Sequence, residues 1–539
     1  MIASPSQAQR ICSTLDTLKS ERLEHETVWK DCFDYTYPRR GEGLQGSTLD
    51  TSAVNAAKAR LVDNTATDGA RTLAAAIMSG MTPANSLWVG YDASGDPLSR
   101  SDRQWLDNAA RVDWKAIHAA TWDADGYEAI LDIVTAGWGC LYLEEGEGGG
   151  LRFEQWPIAQ VYATSSRRGA PADIVYRSFS LTAEQAVNEY GYDALGQTLR
   201  KAYDSGARDK FPFVHAIEPR RNAAGGPFAR NMPIASVHVS IQDKLVVRES
   251  GYPEMPAIVA RWMSIPQSSY GDGPVFDALP TIKRLNELGR LELGAADLAV
   301  GGLFKATEDG VFNPRTVKIG GGRKVVIVGD MQNFDAVKPS TDFRVSDNVT
   351  LRLQQQIRRV LMADQLEMHE GPVRTATEVH ARMGLLRQLL GPVYGRLQAE
   401  LHARLVLRVF GLAQRAGAHG QMPESLRNRM LSIRFESPLA RAQKLEEVNA
   451  IERLFADATA IAQAKPEVLD NLDEDAAIRY VSDALVVPHS ILRTEGALRA
   501  LRADREERDA SGKQQAAVED LAMKGARTAA SKFAAGMVQ

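Results

Sequence analysis

The sequence predicts an α+β protein that is predominantly α-helical, and three observations lead to this class. The N-terminal half contains all eight tryptophans, the last of which is Trp262, among short β-prone runs. Two long segments with helical apolar spacing then bracket residues 301–340, which are rich in glycine and β-branched residues. The C-terminal part carries leucine, valine and alanine at helical spacing. We therefore expect an aromatic, strand-containing N-terminal domain followed mainly by helices.

Length, charge and cysteine content exclude several classes of protein. The chain has 539 residues, enough for several domains, and a formal net charge of −4. A nearly neutral chain is not expected to coat DNA, because such binding neutralises many phosphates. Three widely separated cysteines indicate reduced thiols, and no apolar run reaches the length of a membrane span. We expect a protein that folds in a cytoplasm and has no membrane partner.

The N-terminal half alternates between helix and strand patterns. Apolar spacing predicts helices over Ala8–Tyr37, Ser52–Ser79 and Gly126–Ala136, with another around Trp105. Residues 140–143 and 152–156 read as a hairpin, and Thr182 with Gln185 has capping-box spacing. The glycines of residues 41–46 match a dinucleotide-binding fingerprint by letter. They lack the strand before and the helix after that such a site requires, so a surface loop is expected.

The segment Arg261–Val300 organises the rest of the chain. Pro274 suits the first turn of a helix that extends for roughly 25 residues, with Asp272 as a candidate cap and Pro280 as a candidate kink. A second helix is predicted over Phe343–Ala363. The loop of residues 364–374 and a capping box at Thr375 then precede a long helix that Gly391-Pro392 should bend.

No catalytic constellation is recognisable in the sequence. Residues 320–324 have the wrong spacing for a phosphate loop, and His369-Glu370 lacks the second histidine of a zinc-protease helix. Asp123 and Asp125 suggest a calcium loop without its final glutamate, and the acidic run of residues 470–475 resembles a solvated helix start. We therefore expect an assembly component that is not an enzyme and that takes no cofactor or metal.

Four stretches of sequence resemble the portal, or head-to-tail connector, proteins of short-tailed bacteriophages (podovirus type). These are L-V-D-N-T-A-T-D-G-A-R-T-L-A-A-A-I-M-S-G-M-T-P-A-N-S-L-W, A-R-W-M-S-I-P-Q-S-S-Y-G-D-G-P, R-T-A-T-E-V and S-P-L-A-R-A-Q-K. They occur in the family's order across nearly the whole chain. The family more often has arginine at the position of Asp272 and methionine at that of Arg374.

The resemblance implies a portal-type fold with the domain order of that family. It corresponds to a wing of α/β structure over residues 1–262, a stem helix over 263–300, a small β clip over 301–340 and a second stem helix over 341–363. A tunnel loop over 364–375, a long wing helix and return over 376–445, and a helical crown and tail over 446–539 complete the expected order.

The resemblance also implies an assembly and a set of partners. The expected protein is a homo-oligomer, a dodecameric ring at one capsid vertex of the virion, assembled in the cytoplasm of a bacterial host. Double-stranded DNA would pass through its channel without sequence-specific contact. The terminase large subunit, the tail adaptor, the major capsid protein and the scaffolding protein are the expected protein partners, with internal core proteins as a further candidate. The alternatives are another oligomeric phage structural protein, of the tail or internal core, and a metal-dependent nuclease.

Three groups of residues are the candidate functional positions, and each also has a purely structural interpretation. The stem positions Lys283, Arg284 and Arg290 face either the channel or a surface that is solvated or salt-bridged between subunits. The clip either docks motor and adaptor or caps the helices, and its candidate docking residues are Phe304, Val311, Phe312 and Pro314. The loop either narrows the channel or only connects two helices, and its candidate contact residues are Asp364, Gln365, Glu367, His369, Glu370 and Arg374.

Overall fold

The computed structural model describes most of the chain. The described residues are 6–46, 51–95, 98–146, 149–220, 228–301, 303–306, 324–327, 335–337, 343–366, 390–427, 429–435, 438–462, 465–484, 491–493, 496–508 and 523–524. They belong to two compact units, one made of Met1–Gly90, Ala109–Gly420 and Phe435–Leu439, the other of Tyr91–Asn108, Gln421–Arg434 and Ala440–Gln539. These residues are mostly helical with several antiparallel sheets, which confirms the predicted α+β class.

Eleven helices lie wholly or partly in the described residues of the first unit. They are α1 (Gln7–Asp34), α2 (Thr51–Ala59), α3 (Thr65–Met81), the second part of α4 (Arg100–Ala119), α5 (Trp122–Ala136), α6 (Ala183–Tyr190), α7 (Gln197–Asp204), α8 (Pro274–Gly301), α9 (Phe343–Val360), α10 (Ala363–Leu366) and α11 (residues 390–415). The predicted capping box of Thr182 and Gln185 is present at the start of α6. A second one, Ser6 with Gln9, starts α1. Both supply partners for N–H groups that have none inside a helix.

The strands of the first unit form separate antiparallel sheets beside one mixed sheet. They are β2 (Trp138–Glu145), β3 (Leu151–Trp156), β4 (Val161–Thr164), β5 (Ile174–Thr182), β6 (Lys210–Pro219), β7 (Ile234–Ser240), β8 (Leu245–Tyr252), β9 (Ala257–Arg261), β10 (Met263–Ser264), β11 (Gly271–Asp272), β12 (Leu303–Ala306), β13 (Lys324–Ile327) and β14 (Asp335–Val337). One sheet has the order β4-β5-β6-β7-β8 and another the order β3-β2-β9. Cys140 pairs with Trp156, which confirms the predicted hairpin.

The second unit contains the remaining elements. β1 (Val89–Ala93) pairs with β15 (Leu431–Phe435), and both strands extend across the division between the units. α12 (Pro438–Ala462), α13 (Glu474–Ala484) and the helical residues 496–508, here α14, follow. Asp475 accepts two hydrogen bonds from Arg502, at 2.8 and 2.7 Å. The acidic run therefore lies at a helix start, as predicted.

An aromatic cluster fills the centre of the first unit. Trp29 of α1, Trp138 of β2 and Tyr270 have ring centroids between 4.8 and 5.3 Å apart. All three rings are buried, and the hydroxyl of Tyr270 accepts a hydrogen bond from the backbone N–H of Ala163 at 3.2 Å. The predicted aromatic core of the N-terminal half is thereby confirmed. The aromatic cluster packs the segment that precedes α8 against α1 and β2.

Buried Arg22 secures α1 to the sheet region. Its guanidinium donates to the carbonyl oxygens of Ile158, Ala159 and Val161 at 2.9, 3.1 and 2.6 Å. The same group pairs with Glu26 and lies 3.9 Å from the ring centroid of Tyr162. A buried cation is stable only when its donors find partners, and here three carbonyl oxygens and the Glu26 carboxylate supply them. The polar group thus fixes where α1 docks.

Three glycines meet where α8 begins. Gly137 ends α5 with φ +88°, and a Cβ there would lie 2.5 Å from the Cα of Asp272. A Cβ on Gly271 would lie 2.6 Å from the carbonyl oxygen of Gly137, and one on Gly273 would lie 2.8 Å from its nitrogen. Backbone therefore packs directly on backbone, which explains the glycines of the Y-G-D-G-P motif. Asp272 belongs to β11, which pairs with β10.

Two predicted helices differ from the structure. Residues 60–64 interrupt the helix expected over Ser52–Ser79, which is divided into α2 and α3. The helix expected to end at Ala363 stops at Val360, because Met362 has the left-handed φ of +57° and the chain turns before α10. Both breaks lie beside tertiary contacts that local spacing does not report.

Helix α11 is attached to the sheets by ion pairs. It is helical at residues 390–397, contains a π turn at Gln398–His402 and continues over Ala403–Arg415. Glu400 in the π turn accepts from Arg261 Nη2 at 2.6 Å and from Arg261 Nε at 3.1 Å. Farther along the helix, Arg408 and Arg415 both donate to Glu254. These contacts begin at the π turn, which follows Gly391-Pro392 in the sequence, so they do not depend on the bend predicted there.

His402 in this π turn is buried. Its Nδ1 lies 3.2 Å from the carbonyl oxygen of Leu397, and the rings of Trp88, Trp122 and Phe435 surround it. Burial lowers the pKa of His402 to about 4. The site thus favours an uncharged imidazole.

Replacing Gly137 by alanine is expected to destabilise the first unit strongly. The added Cβ meets backbone atoms of Asp272 that cannot move without displacing the start of α8. Gly149→Ala is the matched control, since Gly149 has a similar φ of +85° with nothing described within 4 Å. We expect about 1 kcal/mol of destabilisation for the control and at least about 3 kcal/mol for Gly137→Ala, measured by chemical denaturation. Equal losses would show that the contact has no steric role.

Acidification is expected to reduce stability through His402. Its folded pKa lies below the unfolded value of 6.5, so the unfolded chain gains a proton first as pH falls from 6.5 towards about 4. Between pH 7 and 5 this group should lower the free energy of unfolding by about 2 kcal/mol. His402→Asn keeps an N–H for Leu397 and removes the titration, so its unfolding should depend less on pH. Parallel pH profiles for the two proteins would exclude His402 as the cause.

Candidate functional site

The two long helices α8 and α9 are the framework of the candidate site. α8 has 28 residues, which correspond to about 42 Å, and α9 has 18. The carboxylate of Glu292 on α8 accepts hydrogen bonds from the hydroxyls of Ser346 and Thr350 on α9, the latter at 3.1 Å. These bonds join the two helices along one side. We refer to α8 and α9 as the helix pair.

A small mixed sheet lies in the sequence between these helices. β12 pairs in parallel with β13 and antiparallel with β14. Short β-branched runs predicted strands here, and these three strands confirm that expectation for the described backbone. The mixed pairing places β12 in the middle of the sheet.

The base of the helix pair clamps the segment between α2 and α3. The side-chain oxygen of Asn286 accepts the backbone N–H groups of Val62 and Asp63 at 3.0 and 3.4 Å. Its amide nitrogen donates to the carbonyl oxygen of Ile282 at 3.1 Å. Buried Asn286 thus replaces helical hydrogen bonds of residues 62 and 63, which is why a single helix does not continue through this segment.

Further contacts complete this clamp. Gln354 of α9 donates to Asp63 Oδ2 at 2.7 Å, while Asp63 Oδ1 accepts the backbone N–H of Thr65 at 2.8 Å. Val62 packs so tightly against Gly289 that a Cβ there would lie 2.8 Å from Val62 Cγ1. Both helices of the pair therefore hold the same short segment. We call Val62, Asp63, Asn286, Gly289 and Gln354 the base clamp.

Two of the predicted stem cations have carboxylate partners within the chain. Lys283 Nζ lies 2.6 Å from Asp31 Oδ2 of α1, and 5.7 Å from the ring centroid of Tyr35. Arg290 pairs with Glu287 one turn earlier on α8, at 2.6 Å. Arg284 is exposed. The structure thus brings Lys283 to the first helix and leaves Arg290 on an exposed surface, where an ion pair contributes little stability.

The predicted loop and clip residues lie partly inside the described chain. Asp364 and Gln365 belong to α10, where Asp364 is half-buried. Phe304 lies in β12, with Val325 and Ala336 as its partners in the neighbouring strands. The other predicted positions, Glu367, His369, Glu370, Arg374, Val311, Phe312 and Pro314, lie outside the described residues. Their roles stay predictions.

One surface beside the predicted loop was missed at the sequence level. The outer face of α9 and the start of α10 form a shallow concavity of about 690 Å³, lined by Leu351, Arg352, Gln355, Arg359, Asp364 and neighbouring residues. Cations near a helix C-terminus are favoured by the helix dipole. The run Q-Q-Q-I-R-R, residues 354–359, could have predicted this polar surface from the sequence. Its one apolar residue, Ile357, is buried and lies on the opposite face of the helix.

The residues that suggested metal sites have other partners. Asp123 lies 2.9 Å from His118 Nδ1, and His118 Nε2 accepts the indole N–H of Trp88 at 3.0 Å. Asp125 accepts the backbone N–H of Gln155 at 3.4 Å. Within the described part of the chain, no group of three or more histidine, cysteine or acidic residues could hold a metal ion. Nor is any described helix both long and apolar enough to span a membrane.

Comparison with known proteins gives a family match over nearly the whole chain. The sequence profile of a family described as bacteriophage head to tail connecting protein matches residues 8–492. The chain is 25% identical to the probable portal protein of Bordetella phage BPP-1, over 98% of this chain and 96% of that protein. It is 26% identical to the portal protein of Salmonella phage epsilon15, over 97% of this chain and 95% of that protein. The resemblance drawn from the four motifs is therefore confirmed.

Replacing Asn286 by alanine is expected to release the segment between α2 and α3. The change leaves the N–H groups of Val62 and Asp63 without their acceptor, which should lower the free energy of unfolding by about 2 kcal/mol. Hydrogen exchange should report faster exchange at these two amides. Gln355→Ala, on the exposed face of α9, is the control and should leave both amides protected. Unchanged exchange in Asn286→Ala would contradict the base clamp.

Proposed function

The chain belongs to the bacteriophage head-to-tail connecting protein family, and on this basis we propose that it acts as a phage portal protein. The observation that carries the proposal is the match to two portal proteins along almost the full length of all three chains. A portal joins the capsid to the tail and gives DNA a route between them. The role is structural, in agreement with the expectation that the chain is not an enzyme.

The proposed assembly is a dodecameric ring of this chain at one capsid vertex, formed in the cytoplasm of the host and retained in the virion. The terminase large subunit docks on the ring during packaging, and the tail adaptor takes its place afterwards. Capsid and scaffolding proteins contact the ring from the capsid side, and internal core proteins are further candidates. A closed ring gives the exposed apolar side chains of the helix pair, among them Leu291, Leu293 and Leu351, partners on neighbouring copies.

In this proposal the helix pair is the stem and the small mixed sheet is the clip. The clip docks motor and adaptor through the predicted positions Phe304, Val311, Phe312 and Pro314. This assignment is supported by the position of the sheet between the end of α8 and the start of α9. A turn region between two stem helices is presented away from the domain that anchors their other ends.

The proposed tunnel loop narrows the channel at residues 364–375. Asp364, Gln365, Glu367, His369, Glu370 and Arg374 make brief, solvated contacts with the passing phosphate backbone. The near-neutral charge of the chain supports sliding, since extensive neutralisation of phosphates would hold the DNA in place. The three stem cations contribute unequally, because Lys283 and Arg290 already have carboxylate partners.

The proposal is tested by assembly and by genome retention. Native mass spectrometry and electron microscopy of the purified chain should show a closed ring with a central opening. A phage lacking its own copy of the gene is then complemented with a chain in which residues 367–371 are deleted. We expect rings and procapsids to form but the particles to lose DNA, because the loop acts after assembly.

A variant in which residues 367–371 are replaced by the same number of glycine and serine residues serves as the length-matched control. It should form rings and restore part of the DNA retention, since chain length is kept while the polar contacts are lost. A purified chain that stays monomeric across micromolar concentrations would contradict the portal function. Full, infectious particles from the deletion would contradict only the role of the loop.

A further inference from the structure

A cleft in the first unit is lined by residues outside the helix pair. Its walls are the turn between β4 and β5, residues 164–170, and the turn between β10 and β11, residues 264–269. It has a volume of about 570 Å³, and Arg261, Glu400 and Arg396 lie at its base. The cleft is large enough for a few amino-acid side chains.

Hydrogen bonds within each turn fix both walls. In the first turn, Asp173 accepts the backbone N–H and the hydroxyl of Ser166, the N–H at 2.7 Å, and donates its own N–H to Thr164. In the second, the hydroxyl of Ser268 accepts the backbone N–H of Tyr270 at 3.2 Å. Tyr270 is itself part of the aromatic cluster. The walls are therefore formed before any ligand arrives, which lowers the entropic cost of binding.

The cleft has an excess of positive charge. Arg261 is satisfied by its two hydrogen bonds to Glu400, so that pair adds no net charge. Arg167 and Arg168 are exposed on the first wall, and within the described chain neither forms an ion pair. Arg396 makes one long contact, 3.5 Å from its Nη1 to the carbonyl oxygen of Trp262. Three guanidinium groups are thus available to an anionic ligand, and each can bind a carboxylate through two hydrogen bonds.

The remaining lining favours a peptide over nucleic acid. Ser264 and Ser269 supply hydroxyls, and exposed Pro266 adds an apolar surface to the lining. Apolar contacts of this kind suit side chains of a polypeptide. A DNA duplex is convex and carries its phosphates along its outside, so it fits a cleft of about 570 Å³ poorly.

We propose that this cleft is a docking site for an acidic peptide segment of a partner protein. Aspartate or glutamate side chains of the segment pair with Arg167, Arg168 and Arg396, and an adjacent apolar side chain packs on Pro266. The site is built from residues of one chain, so it does not depend on the assembly of a ring. It adds a partner chemistry that the portal function alone does not specify.

The full-length protein is titrated into a short fluorescein-labelled peptide of glutamate, aspartate and glycine with one leucine, and fluorescence anisotropy is recorded. We expect saturable binding that weakens at least about tenfold in the Arg167→Ala, Arg168→Ala double variant, because two charge-assisted contacts are lost. Arg208→Ala, an exposed arginine outside the cleft lining, is the matched control and should bind as the wild type does. A peptide with glutamine and asparagine in place of the acids should not bind.

Three results would overturn the proposal. One is no binding of the acidic peptide, and another is equal binding by the wild type and the double variant. The third is tighter binding of a short DNA duplex than of the peptide at the same salt concentration, with that binding lost in the double variant. This result would identify the cleft as a nucleic-acid surface. Circular dichroism and native mass spectrometry of each variant separate these outcomes from misfolding. The same measurements distinguish failure of this proposal from failure of the portal function, because ring formation is scored on the same samples.

Discussion

The contact of backbone with backbone at the start of α8 is the constraint on which the rest of the first unit depends. Gly137 ends α5, Gly271 and Gly273 precede α8, and none of the three has room for a side chain. Trp262 and Tyr270 flank this contact, so the aromatic cluster and the helix start are set by the same few residues. This glycine contact sets the direction in which α8 leaves the sheets, independently of the contacts farther along the helix.

Polar groups then give that helix its position relative to the other elements. Lys283 reaches α1, Asn286 reaches the segment between α2 and α3, and Glu292 reaches α9. Arg22 and Arg261 play the same role for α1 and α11. Each of these groups is satisfied by one arrangement of its neighbours, whereas apolar packing tolerates several. A few buried and half-buried polar contacts on an aromatic core therefore define how the elements of the first unit pack together.

Sequence patterns predicted the elements better than their ends or their partners. Periodic apolar residues identified α1, α8 and α9, and alternating runs identified the β2–β3 hairpin, because these signals are local. The division of Ser52–Ser79 was missed, since it depends on Asn286, more than 200 residues away. The cleft between β4–β5 and β10–β11 was missed for the same reason. Its arginines lie in the β4–β5 turn, at the end of β9 and in α11, and no spacing in the sequence connects them. Among the candidate stem cations, only the fold could show that Lys283 has a partner, because Asp31 lies 252 residues away in the sequence.

The contacts that attach α8 to its neighbours have a mechanical consequence. Lys283, Asn286, Gly289 and Glu292 lie along about 13 Å of one helix, and their contacts run across the helix axis to three other elements. A pull along that axis loads these attachments in parallel, so they share the force and must fail together. A sideways pull at the C-terminal end of α8 would load these attachments one after another, starting with Glu292. The helix pair should therefore resist a force along its axis far better than a force that bends it.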